Sequence, residues 1–321
     1  MRKKRNQFGI YLLTFAVILL LVWISLFTGV KDIGFRALFE DEEKFMVFVI
    51  SRVPRTLALV LVGAGMSISG VILQQLSQNR FVSPTTSGAL ESAKMGVLFA
   101  LMLVPDISLF GRLLFALLLT FFCSLLFILF VHKIRVKNTV FIPLAGIMFG
   151  SILSAVSTFF AYKNNIVQNT QEWLLADFSS VMQGQYESVF IILPAVVLAY
   201  LYAERFTIAG MGESFARNLG LSYAAIVNIG ILTVSLVVSA SVITVGAIPF
   251  VGLIIPNIVR MFVGDNLRRT LPVTALCGSA FLLVCDIFGR LVVYPYEIPI
   301  GMTVGVIGGI VFLVLILKKS R

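Results

Sequence analysis

The chain has 321 residues, of which 59% are hydrophobic and only 12% are charged, and its mean hydropathy is +1.02. A soluble domain carries about 25% charged residues, so this composition excludes a soluble globular protein and indicates an integral membrane protein. The formal net charge of +10 is explained by basic loops that face the cytoplasm, and we expect no nucleic-acid binding.

The apolar runs are long enough for about ten transmembrane helices of roughly 20 residues each. We therefore predict a single all-α integral membrane domain over residues 1–321. In chain order, the spans are predicted at about 9–29, 53–75, 87–104, 112–131, 139–161, 188–203, 224–245, 248–263, 271–290 and 300–317.

The distribution of basic residues predicts the orientation of these spans. Sixteen of the 25 Lys and Arg residues lie in segments that this topology places inside, and eight lie in segments that it places outside. Because basic residues are enriched in cytoplasmic loops, we expect both termini to be cytoplasmic.

The chain offers little for metal binding or catalysis. Its three cysteines, Cys123, Cys277 and Cys285, lie in apolar runs, and its only histidine, His132, lies in a basic segment. This pattern predicts no disulfide framework and no metal site. The sequence also lacks a phosphate-binding glycine loop, a nucleophile elbow and a zinc-protease motif. We therefore expect no cofactor and no enzyme activity, and any ATPase must be another polypeptide.

The longest polar interruption in the second half of the chain is the segment 204–223, ERFTIAGMGESFARNLGLSY. Glycines at positions 210, 212 and 220 punctuate it, so it should form one or two short helices. A membrane protein with one structured cytoplasmic loop and no soluble domain is expected to be driven by a partner. We interpret 204–223 as the loop on which a separate ATPase docks.

Two arginines, Arg52 and Arg55, flank Pro54 at the outer mouth of the second span. Snorkelling to lipid headgroups or capping a helix end is the simpler explanation. Guanidinium groups in this position also suit bidentate pairing with the carboxylates of a docking partner. Near the outer end of the ninth span, Asp286 and Arg290 stand four residues apart and are expected to neutralise each other, although Arg290 can also face outward.

The second span carries Gly63, Ser67, Gly70 and Gln74 on one helical face. Small residues allow close helix packing, which is the default explanation. The same stripe could instead line a polar path through the membrane.

Three carboxylates leave a different mechanism open. Glu91 lies three residues before Lys94 in the third span, where the two predict either an ion pair or a polar wall. Together with Asp286 and Glu297, Glu91 could carry protons in a secondary transporter. Such a transporter would work without an ATPase.

Four separated segments resemble the ferric-siderophore and vitamin B12 uptake permeases of type II ABC importers. The segments are RVPRTLALVLVGAGMSISGVILQQLSQNRFVSP, FARNLGLS, GAIPFVGLIIPNIVRMFVGDNLRRTLP and CDIFGR…EIPIGMTVGVIGG. The resemblance spans nearly the whole chain and implies ten spans in each of two permease subunits. It also implies two cytoplasmic ABC ATPase subunits and an extracytoplasmic siderophore-binding protein. The sequence departs from many members at Asn257 and Ile310, where histidine and proline are common.

The resemblance also implies roles for single residues. Three arginines match those that pair with glutamates on the binding protein: Arg52, Arg55 and Arg290. The coupling loop that seats in the ATPase cleft includes Glu213, Phe215, Ala216, Arg217, Leu219 and Gly220. Two gate constrictions are implied at Asn79 and Phe81 and at Asn138 and Thr139. The stripe Gly63, Ser67, Gly70 and Gln74 is expected to line the translocation path.

The predicted function is therefore that of a multi-pass permease in the bacterial cell membrane that moves a ferric siderophore at the expense of ATP hydrolysed by a partner. The second permease is either another copy or a paralogue, and membrane lipid is the remaining partner. Vitamin B12 or haem in the same machinery remains open, as does the proton-coupled transporter. A membrane-embedded enzyme is the weakest alternative.

Overall fold

The computed structural model describes residues 2–29, 34–35, 40–134, 140–167 and 175–319. The regular structure in these ranges is helical, without a strand, which confirms the all-α prediction. The helices are α1 Arg2–Phe27, α2 Glu42–Val47, α3 Val53–Leu76, α4 Ala89–Leu103, α5 Leu109–Lys133, α6 Phe141–Lys163, α7 Ile192–Leu201, α8 Ala203–Ala209, α9 Glu213–Asn218, α10 Tyr223–Val245, α11 Val251–Val263, α12 Leu267–Leu291 and α13 Ile300–Lys319.

Several helices can cross a bilayer by their length and composition. Among the described residues these are Glu42–Leu76, Leu109–Lys133, Phe141–Lys163, Tyr223–Val245 and Leu267–Leu291. A sixth span results if Glu187–Leu201 and Ala203–Ala209, which are bent by 63° at their junction, count as one. The protein is therefore a multi-pass membrane protein, and the full count of ten spans stays a prediction.

The second predicted span starts earlier than the sequence suggested, because the helical run extends back to Glu42. Asp41 caps it by accepting hydrogen bonds from the backbone N–H groups of Glu43 and Lys44. A π-helical turn, Phe48–Arg52, joins α2 to α3 just before Pro54. Proline cannot donate a hydrogen bond to the carbonyl four residues earlier. That carbonyl, Ile50 O, accepts instead from Gln183 N at 2.9 Å.

Helix α3 lies at the centre of the bundle. In the most apolar window of Glu42–Leu76, 78% of the residues are buried, against 22% in Phe141–Lys163. Helix α3 packs against α7, α10, α11 and α12, whereas α6 leaves most of its surface exposed.

The glycines of α3 allow its neighbours to approach backbone to backbone. A Cβ atom built on Gly70 would lie 1.8 Å from Gly252 O at the start of α11. One built on Gly63 would lie 2.6 Å from Gly278 O on α12. Small residues at crossing points are a common basis of helix association in membranes, so the packing explanation of the stripe accounts for these two positions.

Gly70→Ala should destabilise the fold, because the new methyl group would meet a backbone carbonyl that cannot rotate away. Overpacking of this kind costs about 1–3 kcal/mol or more, and we expect a lower melting temperature in detergent. Gly309→Ala is the matched control, since a Cβ atom there meets nothing within 4 Å. Equal melting temperatures for the two variants would contradict the packing assignment.

Candidate functional site

A buried carboxylate, Asp286, lies at the centre of an ion-pair cluster where α3 and α12 meet. Its Oδ1 atom accepts from Arg55 Nε at 3.1 Å and from Arg55 Nη2 at 2.7 Å. Its Oδ2 atom lies 2.5 Å from Arg290 Nη2. The i,i+4 pair of Asp286 and Arg290 is thus present as predicted, and Arg55 joins it from another helix.

Glu297, in the link between α12 and α13, completes this outer cluster, which we define as Arg52, Arg55, Asp286, Arg290 and Glu297. Glu297 Oε2 accepts from Arg55 Nη1 at 2.7 Å. Arg55 therefore bridges two carboxylates that lie on different segments. In a medium of low dielectric constant, such pairing offsets much of the cost of burying each charge.

Two of the arginines also bind the C-terminal end of α1. Arg290 Nη1 donates to Thr28 O at 2.7 Å and to Ser25 O at 3.2 Å, and Arg52 Nη1 donates to Leu26 O at 3.1 Å. The last carbonyls of a helix lack partners within the helix and carry the negative end of its dipole. The cations therefore fasten α1 to the bundle.

The polar segment 204–223 forms two short helices, α8 and α9, as its glycines predict. Gly212, with φ of +113°, and Gly220, with φ of +73°, flank α9. Both lie in the left-handed region that favours glycine. Together they let the chain turn sharply on either side of a helix of six residues.

Helix α9 presents a mixed surface. Phe215 and Leu219 are exposed, whereas Ala216 is completely buried against the bundle. Glu213 and Arg217 form an ion pair at 2.6 Å along the outer side. Met211, which also lies exposed in this loop, was not selected from the sequence, although an apolar residue between two loop glycines is a usable signal.

The loop after α3 holds the first predicted gate. Asn79 is buried, and its Oδ1 atom accepts from Phe81 N at 2.9 Å. The Phe81 ring packs edge-on against Phe312 of α13, with the ring centroids 6.2 Å apart. Asn257 of α11 donates to Arg80 O at 2.9 Å, so this loop is fastened to two later helices.

The FecCD transport family matches residues 16–318 of this chain. The chain belongs to this family.

Relatives of this FecCD protein match along nearly their whole length. The petrobactin import system permease protein YclN of Bacillus subtilis strain 168 is 45% identical, with 95% of this chain and 97% of that protein covered. The ferric-anguibactin transport system permease protein FatD of Vibrio anguillarum is 46% identical, with 92% and 95% covered. The vitamin B12 import system permease protein BtuC of Shigella boydii is 32% identical, with 100% and 98% covered.

A solved structure has the same fold. It is an inward-facing conformation of a metal-chelate-type ABC transporter, with a TM-score of 0.80 and 27% identity. The match covers 98% of this chain and 99% of that one. The predicted family is thereby confirmed.

The structure brings the three predicted docking arginines of the FecCD chain into one cluster. Arg52 and Arg290 are only 7% and 6% exposed, and the Arg55 side chain is 13% exposed. Their guanidinium groups face internal carboxylates and carbonyls. Docking on these residues therefore stays a prediction. The sequence left helix capping open for Arg52 and predicted the pairing of Arg290 with Asp286, but the sharing of Asp286 by Arg55 was missed.

The structure describes the surroundings of some of the remaining path and gate residues. Ser67 donates to Gly63 O within α3 at 2.7 Å. Gln74 is buried near the inner end of the same helix, and among the described residues neither of its amide atoms has a hydrogen-bond partner. Asn138 and Thr139 lie outside the described residues, so the second gate stays a prediction.

The remaining charged and metal-ligating side chains bear on the Glu91–Lys94 pair and on metal binding. Lys94 Nζ lies 2.8 Å from Glu91 Oε1, so the predicted ion pair is present. In the described parts of the chain, no group of three His, Cys, Asp or Glu side chains is placed to hold a metal ion.

Asp286→Asn should destabilise the protein strongly. The substitution leaves two arginines near a neutral amide in a buried site, and breaking such a pair typically costs about 3–5 kcal/mol. Glu204→Gln is the control, because the Glu204–Arg268 pair is equally short at 2.6 Å but exposed, and exposed pairs contribute about 0–1 kcal/mol. Thermal unfolding in detergent compares the two. Similar small losses for both variants would contradict the structural role of the outer cluster.

Proposed function

We propose that this chain is the permease subunit of an ABC importer that carries a ferric siderophore across the bacterial plasma membrane. ATP hydrolysis on a separate subunit drives the transport. The observation that carries this proposal is the similarity, over more than nine-tenths of the chain, to permeases of petrobactin import and ferric-anguibactin transport. The ferric ion is cargo wrapped by its chelator, so the permease itself needs no metal ligands.

The working assembly has two permease subunits, two cytoplasmic ABC ATPases and an extracytoplasmic binding protein. Each permease has ten spans with both termini in the cytoplasm. The low burial of α6 supports a second permease subunit, either another copy or a paralogue, against this side of the bundle. The surface that remains exposed faces lipid.

The coupling loop, residues 204–223, is the seat of the ATPase. Its short helix α9 offers the exposed apolar side chains Phe215 and Leu219 beside the Glu213–Arg217 pair. Exposed apolar residues with a polar rim are typical of protein interfaces. Ala216 packs against the bundle on the opposite side of the helix, and Gly220 allows the chain to turn after it.

The outer cluster is the docking site of the binding protein. Arg55 is the most exposed of its three arginines, and its partner Glu297 lies at the edge of the cluster with a side chain 28% exposed. An incoming carboxylate can therefore compete with Glu297 for Arg55. Arg52 and Arg290 hold the surrounding helix ends in place.

The proton-coupled alternative is disfavoured by the pairing of its carboxylates. Glu91 pairs with Lys94, Asp286 pairs with Arg55 and Arg290, and Glu297 pairs with Arg55. A carrier carboxylate must be released and engaged again during each transport cycle, whereas each of these three carboxylates is held by a cation. Vitamin B12 remains an alternative cargo because one relative is a vitamin B12 permease, and haem is a further alternative.

Reconstitution tests the function directly. Proteoliposomes are prepared with the permease and its partner ATPase in the membrane and with ATP inside, where the ATPase can bind it. They should accumulate ferric petrobactin or ferric anguibactin when the binding protein is present. Uptake should persist with a protonophore and stop without the ATPase. Uphill uptake by the permease alone would overturn the proposal. Preferential accumulation of vitamin B12 would show that the cargo is vitamin B12 and not a ferric siderophore.

Arg55→Gln should weaken docking of the binding protein by about tenfold, because the charged hydrogen bonds to a partner carboxylate are lost. Affinity is measured with the permease in nanodiscs. The melting temperature of the variant is recorded to separate docking from folding. Arg268→Gln, which removes an exposed arginine near the coupling loop, is the control. Unchanged affinity in a folded Arg55→Gln variant would contradict the docking assignment.

A further inference from the structure

The coupling loop rests directly on the C-terminal end of α3. After Leu76, Gln78 N donates to Gln75 O at 3.1 Å and Asn79 N donates to Gln74 O at 3.0 Å. These two bonds form the Schellman termination, in which the residue after the cap adopts the left-handed conformation. The residue in that position is Gln78, with φ of +52°.

A glutamine in this conformation is unusual. Glycine adopts it without a steric penalty, whereas a side chain with a Cβ atom disfavours it. Local backbone strain that persists in a folded protein is often found where the side chain has a function. The Gln78 amide lies beside the coupling loop.

Two glutamine amides of this turn lie against two glycines of the coupling loop. A Cβ atom built on Gly210 would lie 1.8 Å from Gln75 Oε1, and one built on Gly212 would lie 3.5 Å from Gln78 Nε2. Gly210 and Gly212 connect α8 to α9. The absence of a side chain at Gly210 is what leaves room for the Gln75 amide, whereas a Cβ atom on Gly212 would stand at an ordinary van der Waals distance from the Gln78 amide.

The same turn leads into the first gate. Asn79 follows Gln78 and holds Phe81 through its side chain, and Phe81 packs on α13. Arg80 O is bound by Asn257 of α11. A displacement of α9 therefore has a continuous path of packed and hydrogen-bonded groups, through the two glutamines, to the gate residues.

We propose that Gln75 and Gln78 are positioning residues that transmit movement of the coupling loop to the gate loop. The inference rests on the proposed function, because it needs an ATPase that moves α9. Packed elements with two discrete arrangements convert small shifts into larger ones, and the proposal requires the turn after α3 to be such an element, because a network of defined contacts can carry coupling. Neither glutamine needs to touch the chelate or the nucleotide.

Gly210→Ala tests the first contact. Because Gln75 Oε1 is the far end of a flexible side chain, the new methyl group should displace the amide without unfolding the protein. We expect an unchanged melting temperature, a retained ATPase rate, and about a tenfold fall in chelate transported per ATP hydrolysed, within the range typical of coupling between sites. Gly9→Ala, where a Cβ atom meets nothing within 4 Å, is the control and should behave as the parent.

A double-mutant cycle tests whether the two partners act together. Gln75→Ala alone should reduce the ratio of transport to hydrolysis as Gly210→Ala does, and the double variant should be no worse than either. Residues that act through one contact are non-additive in this way. If the fold-loss of transport per ATP in the double variant equals the product of the two single losses, the two residues do not act through one contact.

Gln78→Gly tests the second contact without disturbing the backbone. Glycine suits the left-handed position, so the melting temperature should hold or rise, while transport per ATP falls. Full coupling in both Gln78→Gly and Gly210→Ala would overturn the inference. If the parent complex itself shows no ATP-driven uptake, the proposed function fails instead, and the two failures are thereby distinguished.

Discussion

One end of the helix bundle depends on a single buried carboxylate. Asp286 lies between Arg55 and Arg290, so that α3 and α12 share a charge that neither could bury alone. The arginines use their remaining donors for Glu297 and for the last carbonyls of α1. Charges are costly in a bilayer unless they are paired, so removing one partner exposes the others to that cost. The cluster therefore holds α3, α12 and the end of α1 together, and the proposed docking of the binding protein uses the same arginines.

The middle of the bundle is held together in a different way. Lipid tails are as apolar as leucine side chains, so helix association in a membrane relies on close packing rather than on the hydrophobic effect. The glycines of α3 bring its backbone against α11 and α12. This leaves α3 central and closely packed, with the outer cluster at one end and the proposed gate loop at the other.

At the C-terminal end of α3, the proposed coupling loop and the proposed gate loop are neighbours because both contact the turn that ends this helix. The glutamines of that turn have donors and acceptors suited to a glycine-lined loop backbone, and the asparagines Asn79 and Asn257 tie the following residues to later helices. His132 adds a contact between helix ends, with its Nε2 atom 3.1 Å from both Leu76 O and the Tyr223 hydroxyl. The proposed seat of the ATPase, the two glutamines and the proposed gate thus lie next to one another.

The sequence by itself determined the membrane class, the helical fold, the short helices of the coupling loop and the pairs Asp286–Arg290 and Glu91–Lys94, because these depend on composition and on neighbours within one or two turns. It also carried the motifs that identify the family. Only the tertiary structure decided that Arg55 shares Asp286, that Arg52 and Arg290 cap α1, and that Gln75 and Gln78 lie beside Gly210 and Gly212. Those contacts join residues more than a hundred positions apart, or lie on faces that no local period reveals. The physical reason is that side-chain pairing across helices is set by how the helices pack, and a single sequence does not state that packing.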